Sequence, residues 1–506
     1  MQSYMPVTAA GLGGQGPRWR LFHEMQLMER AIRRLNSSAL TDLHSAAGIP
    51  ANPLDGHIAW MAGPLLQIAS CCHALYQPAA RAALGPYVSG LDLSPGERAV
   101  LLGQFPSAAV MLASSDSDRE PVSGSSAASL RNFLRGVREG GYQVLGAMMS
   151  QAPRFFLLEA EAQMFAQLMQ GVGSLELRQV RIFMRHIGLT MVKQCPAALR
   201  GRWLVPLMRG LVQPTMARLA EDWARLSSNA AASSPGSSEP AEQATEEVMR
   251  EHVTREVTRE VCALIQAVAG ATQLPGEPCN SSPTALEFLL AADPGTALAC
   301  ISGCCRVLEW RDSDSTHRAL HVCRTSIQLW QQARHASPQP EWLPAMQGII
   351  SGDLLRSCIM SLTVITNSNS LGEIFNLIRD VFNRAPPSQT PETRAVLLAL
   401  PKMNDQASAT RERERMLTGA KQPGPPPQLV MEFEREMRER ASERDQRATL
   451  KRLLLGADGG LGALQAITNA ASIKSSTAKV SNPRARKPKI QSLQDDEEVQ
   501  WIHHFL

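Results

Sequence analysis

Four basic side chains crowd one short stretch of this chain. Arg178, Arg181, Arg185 and Lys193 fall within LELRQVRIFMRHIGLTMVKQCP, whose single acid is Glu176. Guanidinium and ammonium groups gathered on one helix can neutralise phosphates, an attraction that falls steeply with salt and carries no sequence information. Double-stranded RNA offers such a surface its shape, its backbone and its minor-groove hydroxyls. The plainer alternative is a solvated helix face, where charge is ordinary.

Two further basic sites are weighed in the same way. Arg255 and Arg259 in VTREVTREV lie one turn apart, with Glu251 four residues before Arg255 and Glu256 three before Arg259. These spacings favour intrahelical ion pairs of about 0.2–0.5 kcal/mol each, so a helix with neutralised charge competes with a binding surface. The most basic stretch is Lys474, Lys479, Arg484, Arg486, Lys487 and Lys489, with no acid between Ala471 and Ile490. PRARKPK there reads as a nuclear-localisation peptide, an RNA-touching arm or a disordered solubilising tail. Asp495, Asp496, Glu497 and Glu498 follow at once and compete for the same basic groups.

Metal and catalytic chemistry are less well served. Cys300, Cys304, His317 and His321 fall within the loose spacing of a two-Cys, two-His zinc site. The two cysteines, however, sit one turn apart in the apolar stretch ALACISGCCRVLEW, which lacks the turn residues of a zinc knuckle and favours core thiols. No GxxxxGK(S/T) phosphate loop, GxSxG elbow or HExxH pair occurs, and GLGGQG near the start lacks a preceding strand. The expectation is a protein that is not an enzyme and holds no metal or cofactor of its own.

The elements that must position these groups are helices. Leu130, Phe133, Leu134, Val137 and Leu145 recur near the i, i+3, i+4, i+7 spacing of one helix face, leaving Arg131, Arg135 and Arg138 to other, wetter faces. Val180, Phe183, Met184, Ile187 and Met191 make a second stripe beneath the basic residues already named. Aromatic residues are only 5% of the sequence, and alternating β-branched runs are scarce, so the fold class is all-α. The 506 residues exceed one ordinary core, which calls for several domains or a repetitive array. A net charge of +4 at this length does not by itself select nucleic acid as partner. The ten cysteines show no small-domain disulfide spacing and read as reduced, buried thiols. No segment reaches the roughly 18 consecutive apolar residues of a membrane span, and the N-terminus has no signal-peptide pattern. A soluble intracellular chain with no membrane insertion is expected.

Amphipathic segments separated by short Gly, Pro or Ser breaks run along the whole chain, including 95–113, which suits a HEAT-like α-solenoid of antiparallel helix pairs that bury their stripes only against neighbouring pairs. The expected plan is HEAT-like repeats over 1–226, a flexible insertion at 227–242, further repeats over 243–402, a flexible loop at 403–428, terminal helices over 429–471 and a basic then acidic tail at 472–506. SSDSDREPVSGSS at 114–126 reads as another loop, too poor in apolar residues to offset its ordering entropy.

RWRLFHEMQLMERAIRRL, HIAWMAGPLLQIASCCHALYQP, the two stretches described above, EEVMREHVTREVTREVCALI, ETRAVLLALPKM and LKRLLLGADGGLGALQ resemble, in this order, successive segments of the C-terminal part of the HASTY and pre-microRNA exportin family. The resemblance is strongest at 129–195 and 245–265. It implies a karyopherin of the importin-β superfamily, built of HEAT repeats and shuttling between nucleus and cytoplasm. It also implies, as partners, the GTP form of the Ran GTPase, small double-stranded or hairpin RNA such as pre-microRNA, and nuclear pore proteins, with GTP bound only through Ran. RanGTP and cargo would each favour a more closed superhelix and so raise each other's affinity by linkage. The amino-terminal repeats of that family, which carry most of the Ran contact, have no counterpart here, so a C-terminal fragment is expected. A protein-binding solenoid scaffold, or a transport receptor for protein or tRNA cargo, is the alternative.

Overall fold

The computed structural model describes residues 16–35, 56–85, 91, 123–151, 153–232, 241–270, 284–362, 364–384, 390–398, 425–439 and 442–455; every regular element among them is helical. The helices are α1 (Gly16–Leu35), α2 (Ile58–Ala74), α3 (Pro78–Leu84), α4 (Ser123–Gln151) and α5 (Glu159–Gly171). Next, α6 runs Leu177–Phe183, passes through a π-turn at Met184–Gly188 and resumes as Leu189–Gln194, and α7 runs Arg200–Leu207, through a π-turn at Met208–Val212, to Gln213–Ala232. They are followed by α8 (Ala241–Ala269), α9 (Ala285–Ala292), α10 (Pro294–Val307) and α11 (Ser313–Arg334). A third π-turn, Ile349–Leu354, interrupts α12 between Leu343–Gly348 and Leu355–Ser361, before α13 (Leu371–Arg384), α14 (Thr390–Leu398), α15 (Pro427–Arg438) and α16 (Glu443–Leu455).

The chain alternates between two layers. In layer A, α2, α5, α7, α10, α12 and α14 each pack on the next; in layer B, α1, α4, α6, α8, α11, α13 and α15 do the same. Consecutive helices also pack across the layers, as α7 does on α8, α10 on α11 and α12 on α13, and their short connections make them antiparallel neighbours. This is the expected HEAT-like α-solenoid. The expected insertion at 227–242 begins inside α7, which continues to Ala232, and ends inside α8, which starts at Ala241. Ser123–Ser126 of the expected 114–126 loop belong to the first turn of α4. The segments 95–113, 403–424 and 456–506 lie outside the described residues.

Local sequence explains where helices begin. Thr284 and Glu287 form a capping box: the Thr284 hydroxyl accepts from the Glu287 amide at 3.1 Å, and the Glu287 carboxylate accepts from the Thr284 amide at 2.5 Å. Asp293 caps α10 just before Pro294, and Asp312 caps α11 through the Ser315 amide at 3.1 Å. The stripe on α6 is buried throughout, at Val180, Phe183, Met184, Ile187 and Met191. On α4, Val137 and Leu145 are buried while Leu130, Phe133 and Leu134 are half-buried. Two aromatic anchors, Trp203 and Trp223, keep their polar tips satisfied. Trp203 packs on Phe155 and Phe165 and donates to the Phe156 carbonyl at 2.9 Å, while Trp223 stacks on Trp310 and reaches the Thr258 hydroxyl at 3.0 Å.

One expectation about α4 is overturned. Arg138 is not on a wet face: its side chain is only 6% exposed. The off-stripe side of α4 is covered by α2, so Arg138 donates to the Tyr76 hydroxyl at 3.1 Å and lies 3.5 Å from Glu139. Beside it, the His73 ring nitrogen and the Tyr142 hydroxyl share a 2.5 Å hydrogen bond. Burial, with Arg138 adding to it, pushes His73 down to about 4, and burial pushes Tyr142 well above the usual phenol range.

The π-turn of α6 meets α4 backbone to backbone. A Cβ placed on Gly146 would come 2.3 Å from the His186 carbonyl oxygen, so only glycine lets the helices approach this closely. That carbonyl accepts from the Thr190 hydroxyl at 3.0 Å. No single helix among the described residues is long and apolar enough to cross a membrane.

Candidate nucleic-acid interface

The basic candidates of α6 and α8 sit on layer B, where each helix lies against the next, and their neighbours decide what they can bind. Arg178, two residues into α6, folds back to Glu176 at 2.7 Å and donates to the Leu91 carbonyl at 3.2 Å. Arg181, one turn on, crosses to α8 and pairs with Glu256 at 2.8 Å and Glu260 at 3.8 Å. Both are spoken for.

On α8 the same pattern continues toward α11. Arg255 pairs with Glu251 at 2.5 Å within its own helix and stands 3.9 Å from Asp312. Arg259 reaches Asp312 more fully, through Nε at 3.1 Å to both carboxylate oxygens and through Nη2 at 2.6 Å. It also touches Glu256 at 3.3 Å and Asp314 at 3.4 Å. The hydrogen bond to Asp312 raises the Arg259 pKa above its ordinary value against the opposing effect of burial. In return, Arg318 of α11 donates to the Arg259 carbonyl at 2.9 Å, and Arg324, further along α11, pairs with Glu373 of α13 at 3.1 Å. A chain of charge-assisted bonds thus joins α6, α8, α11 and α13.

Asp312 is the residue that sequence reasoning missed. It serves as helix cap and ion-pair acceptor together, taking Arg259 while accepting from the Ser315 amide and from its hydroxyl at 2.5 Å. The signal was present in Asp312-Ser313-Asp314-Ser315 just ahead of an amphipathic helix, which reads as an N-cap. Its pairing partner, 53 residues earlier, leaves no local trace. Layer A carries a related joint, in which Arg209 of the α7 π-turn meets Asp293, the cap of α10, at 2.9 Å. Partial burial acts to raise the Asp293 carboxyl, but hydrogen bonds from Thr296 and Arg209 hold it below the usual carboxylate range.

Arg185 and Lys193 are placed differently. Both are exposed on α6, and neither is paired with an acid among the described residues. Arg185 lies in the π-turn, and the step of eight positions from it to Lys193 spans about two turns when one of them is widened, so they project from one face. A further exposed pair, Arg306 and Arg356, flanks the seam between α10 and α12. That seam is closed by Ser302 with Asp353 at 2.7 Å and Ser357 with Glu309 at 2.6 Å. The basic residues from Lys474 to Lys489 lie outside the described residues.

The zinc constellation does not assemble. Cys300 and Cys304 point into the core, whereas His317 and His321 of α11 are exposed, with His317 3.9 Å from Glu373. No cluster of three or more His, Cys, Asp or Glu side chains among the described residues is arranged to hold a metal ion.

Comparison with known proteins adds to this geometry. The model of the Exportin-5 family matches residues 15–468, which takes in every described helix from α1 to α16 and stops short of the basic tail. The chain is 24% identical over 413 residues to Protein HASTY 1 of Arabidopsis thaliana, an alignment covering 76% of this chain and 34% of that protein. The chain therefore spans about a third of the length of the curated relative it matches.

Proposed function

This chain belongs to the Exportin-5 family, and we propose accordingly that it acts as part of a nuclear export receptor that carries small structured RNA in a Ran-dependent cycle between nucleus and cytoplasm. The observation that carries this reading is the family match along nearly the whole two-layer array. In this reading the chain is a karyopherin without catalytic groups, its partners are RanGTP, a double-stranded or hairpin RNA such as pre-microRNA, and nuclear pore proteins, and GTP is held only by Ran. The RNA would be met by the exposed pair Arg185 and Lys193, with the tail residues Lys474, Lys479, Arg484, Arg486, Lys487 and Lys489 as a second contact. Arg178, Arg181, Arg255 and Arg259 act in the same scheme as braces that hold the surface in shape, since their charge is already paired.

The test is binding of the chain to a short hairpin RNA with a two-nucleotide 3′ overhang, across a salt series, with and without RanGTP. Steep salt dependence strengthened by RanGTP supports the reading. Replacing Arg185 and Lys193 by Glu should lower the steepness by about 0.7–0.9 for each phosphate that is no longer neutralised. A second reading, in which the solenoid holds protein cargo, draws on the pairing of four of the six helix-borne candidates. Salt-insensitive binding of a protein partner together with absence of RNA binding would favour it.

A further inference from the structure

Layer B changes character along its helices. The first halves of α6 and α8 exchange the ion pairs described above, but beyond them acid disappears. Residues 140–151 of α4, 184–194 of α6 and 261–269 of α8 contain no Asp or Glu. Apart from the half-buried His186, Arg185 and Lys193 are the only basic side chains in these stretches. Two exposed cations therefore stand in an uncharged strip three helices wide.

Contacts fix the register of these helices. Tyr142 of α4 packs on Phe183 of α6 at 5.0 Å and Gly146 lies against the His186 carbonyl, which sets Gln143 level with Arg185. Arg181 reaches Glu260 and Gly188 lies against Leu264, so Ala263, Gln266 and Ala267 of α8 flank the interval between Arg185 and Lys193. Gln143 continues the outward stripe of α4 one turn beyond Glu139, and the three α8 residues continue that of Glu256, Arg259 and Glu260. Gln143 and Gln266 are half-buried, and their side-chain amides have no hydrogen-bond partner among the described residues.

We propose that Gln143 and Gln266 select ribose over deoxyribose, each exchanging a hydrogen bond with a 2′-hydroxyl of an RNA whose phosphates sit on Arg185 and Lys193. The inference rests on the RNA-binding reading above and adds what phosphate contacts alone lack, a means of telling RNA from DNA. A carboxamide donates and accepts, as the 2′-hydroxyl does, whereas a carboxylate at either position would only accept and would repel phosphate. The two cations stand about 12 Å apart along α6 at 1.5 Å per residue. Beside that interval the short side chains of Ala263 and Ala267 leave room for a sugar–phosphate backbone to approach. Neighbouring helices lie 8–10 Å apart, so the amides on α4 and α8 are separated by about 16–20 Å and meet different riboses. Partial burial holds each glutamine stem against the stack, which lowers the entropy lost when its amide engages.

The experiment measures binding of the full chain to two hairpins across a salt series, with and without RanGTP. One is the RNA hairpin with a two-nucleotide 3′ overhang; the other carries 2′-fluoro in place of 2′-hydroxyl through its stem, which keeps the A-form shape and removes the donor. The unaltered chain should bind the native hairpin about tenfold more tightly, as two neutral hydrogen bonds would give, with one salt slope for both. The double variant Gln143→Ala, Gln266→Ala should lose that preference and keep the slope, with its fold checked by circular dichroism. A preference that survives in the folded double variant overturns the assignment of the two glutamines and leaves the RNA reading standing. Equal binding of the two hairpins by the unaltered chain does the same, and needs no variant to fold. Failure of the unaltered chain to bind either hairpin overturns both the assignment and the RNA reading.

Discussion

In both layers an arginine of one helix reaches the aspartate that caps a later helix, but the two joints sit in different surroundings. In layer B, Asp312 is 2% exposed and Arg259 33%, and the guanidinium meets both carboxylate oxygens. In layer A, Asp293 is 12% exposed and Arg209 65%, and both guanidinium contacts fall on one oxygen. Side-chain type and capping geometry are shared. What separates the joints is the water each partner loses, and the energetics should follow that loss: an exposed pair contributes about 0–1 kcal/mol, whereas removing one partner of a buried pair strands the other.

The largest effect should come from Asp312→Ala. It removes the cap of α11 and leaves Arg259 facing only Glu256 and Asp314, so urea unfolding should show a loss of about 3 kcal/mol, near the lower end for a broken buried pair because Arg259 retains some exposure to water. Asp293→Ala should lose about 1 kcal/mol, mostly the cap. Equal losses in the two variants would end the distinction.

Acid sharpens the contrast by way of a third joint, the cluster of His73, Tyr142, Tyr76 and Arg138, where Glu139 lies beside Arg138 while His73 meets a phenol in place of a carboxylate. The folded His73 titrates near 4, below the ordinary 6.5, so the folded chain holds its imidazole neutral where the unfolded chain is already protonated. The stabilisation is complete above pH 6.5 and is lost as pH falls from 6.5 toward 4. Melting temperature measured over that window should decline, and His73→Gln should flatten the decline; an unchanged slope would remove His73 from the account. For Asp293, held below the usual carboxylate range, stability is present above the unfolded value of about 3.9 and is lost at still lower pH.

The smallest effect belongs to Arg209→Ala, at about 0.5 kcal/mol or less, disappearing in 1 M salt, where the screening length is about 3 Å. Arg259→Ala should keep most of its larger loss at the same salt. If salt erased both, Asp312 would be far wetter than its burial indicates.

What was legible in the sequence follows from how local each cause is. The α6 stripe from Val180 to Met191 could be read because burial on one helix repeats with the helix itself, and the pairing of Glu251 with Arg255 because it lies within one turn. Arg138 was misplaced because spacing along α4 says nothing of α2 arriving on its second side. The pairing of Arg181 with Glu256 and of Arg259 with Asp312 joins residues 75 and 53 apart, and only the stacking of layer B brings them together. The family resemblance was legible segment by segment. Which basic residues stay unpaired required the neighbours to be in place.

The π-turn of α6 also fixes the phase of the helix beyond it. It spends one more residue per turn than a regular helix, so if the ladder closed regularly with every residue of Met184–Gly188 retained, Leu189–Gln194 would be rotated by about 100°. Met191 and Val192 would swing out of the core and Lys193 would turn away from the face it shares with Arg185. Gly146 supplies the complementary half of this setting, because the missing Cβ leaves room for the His186 carbonyl. A one-residue insertion and a glycine on the neighbouring helix together act as an indexing notch, deciding which side of α6 meets solvent.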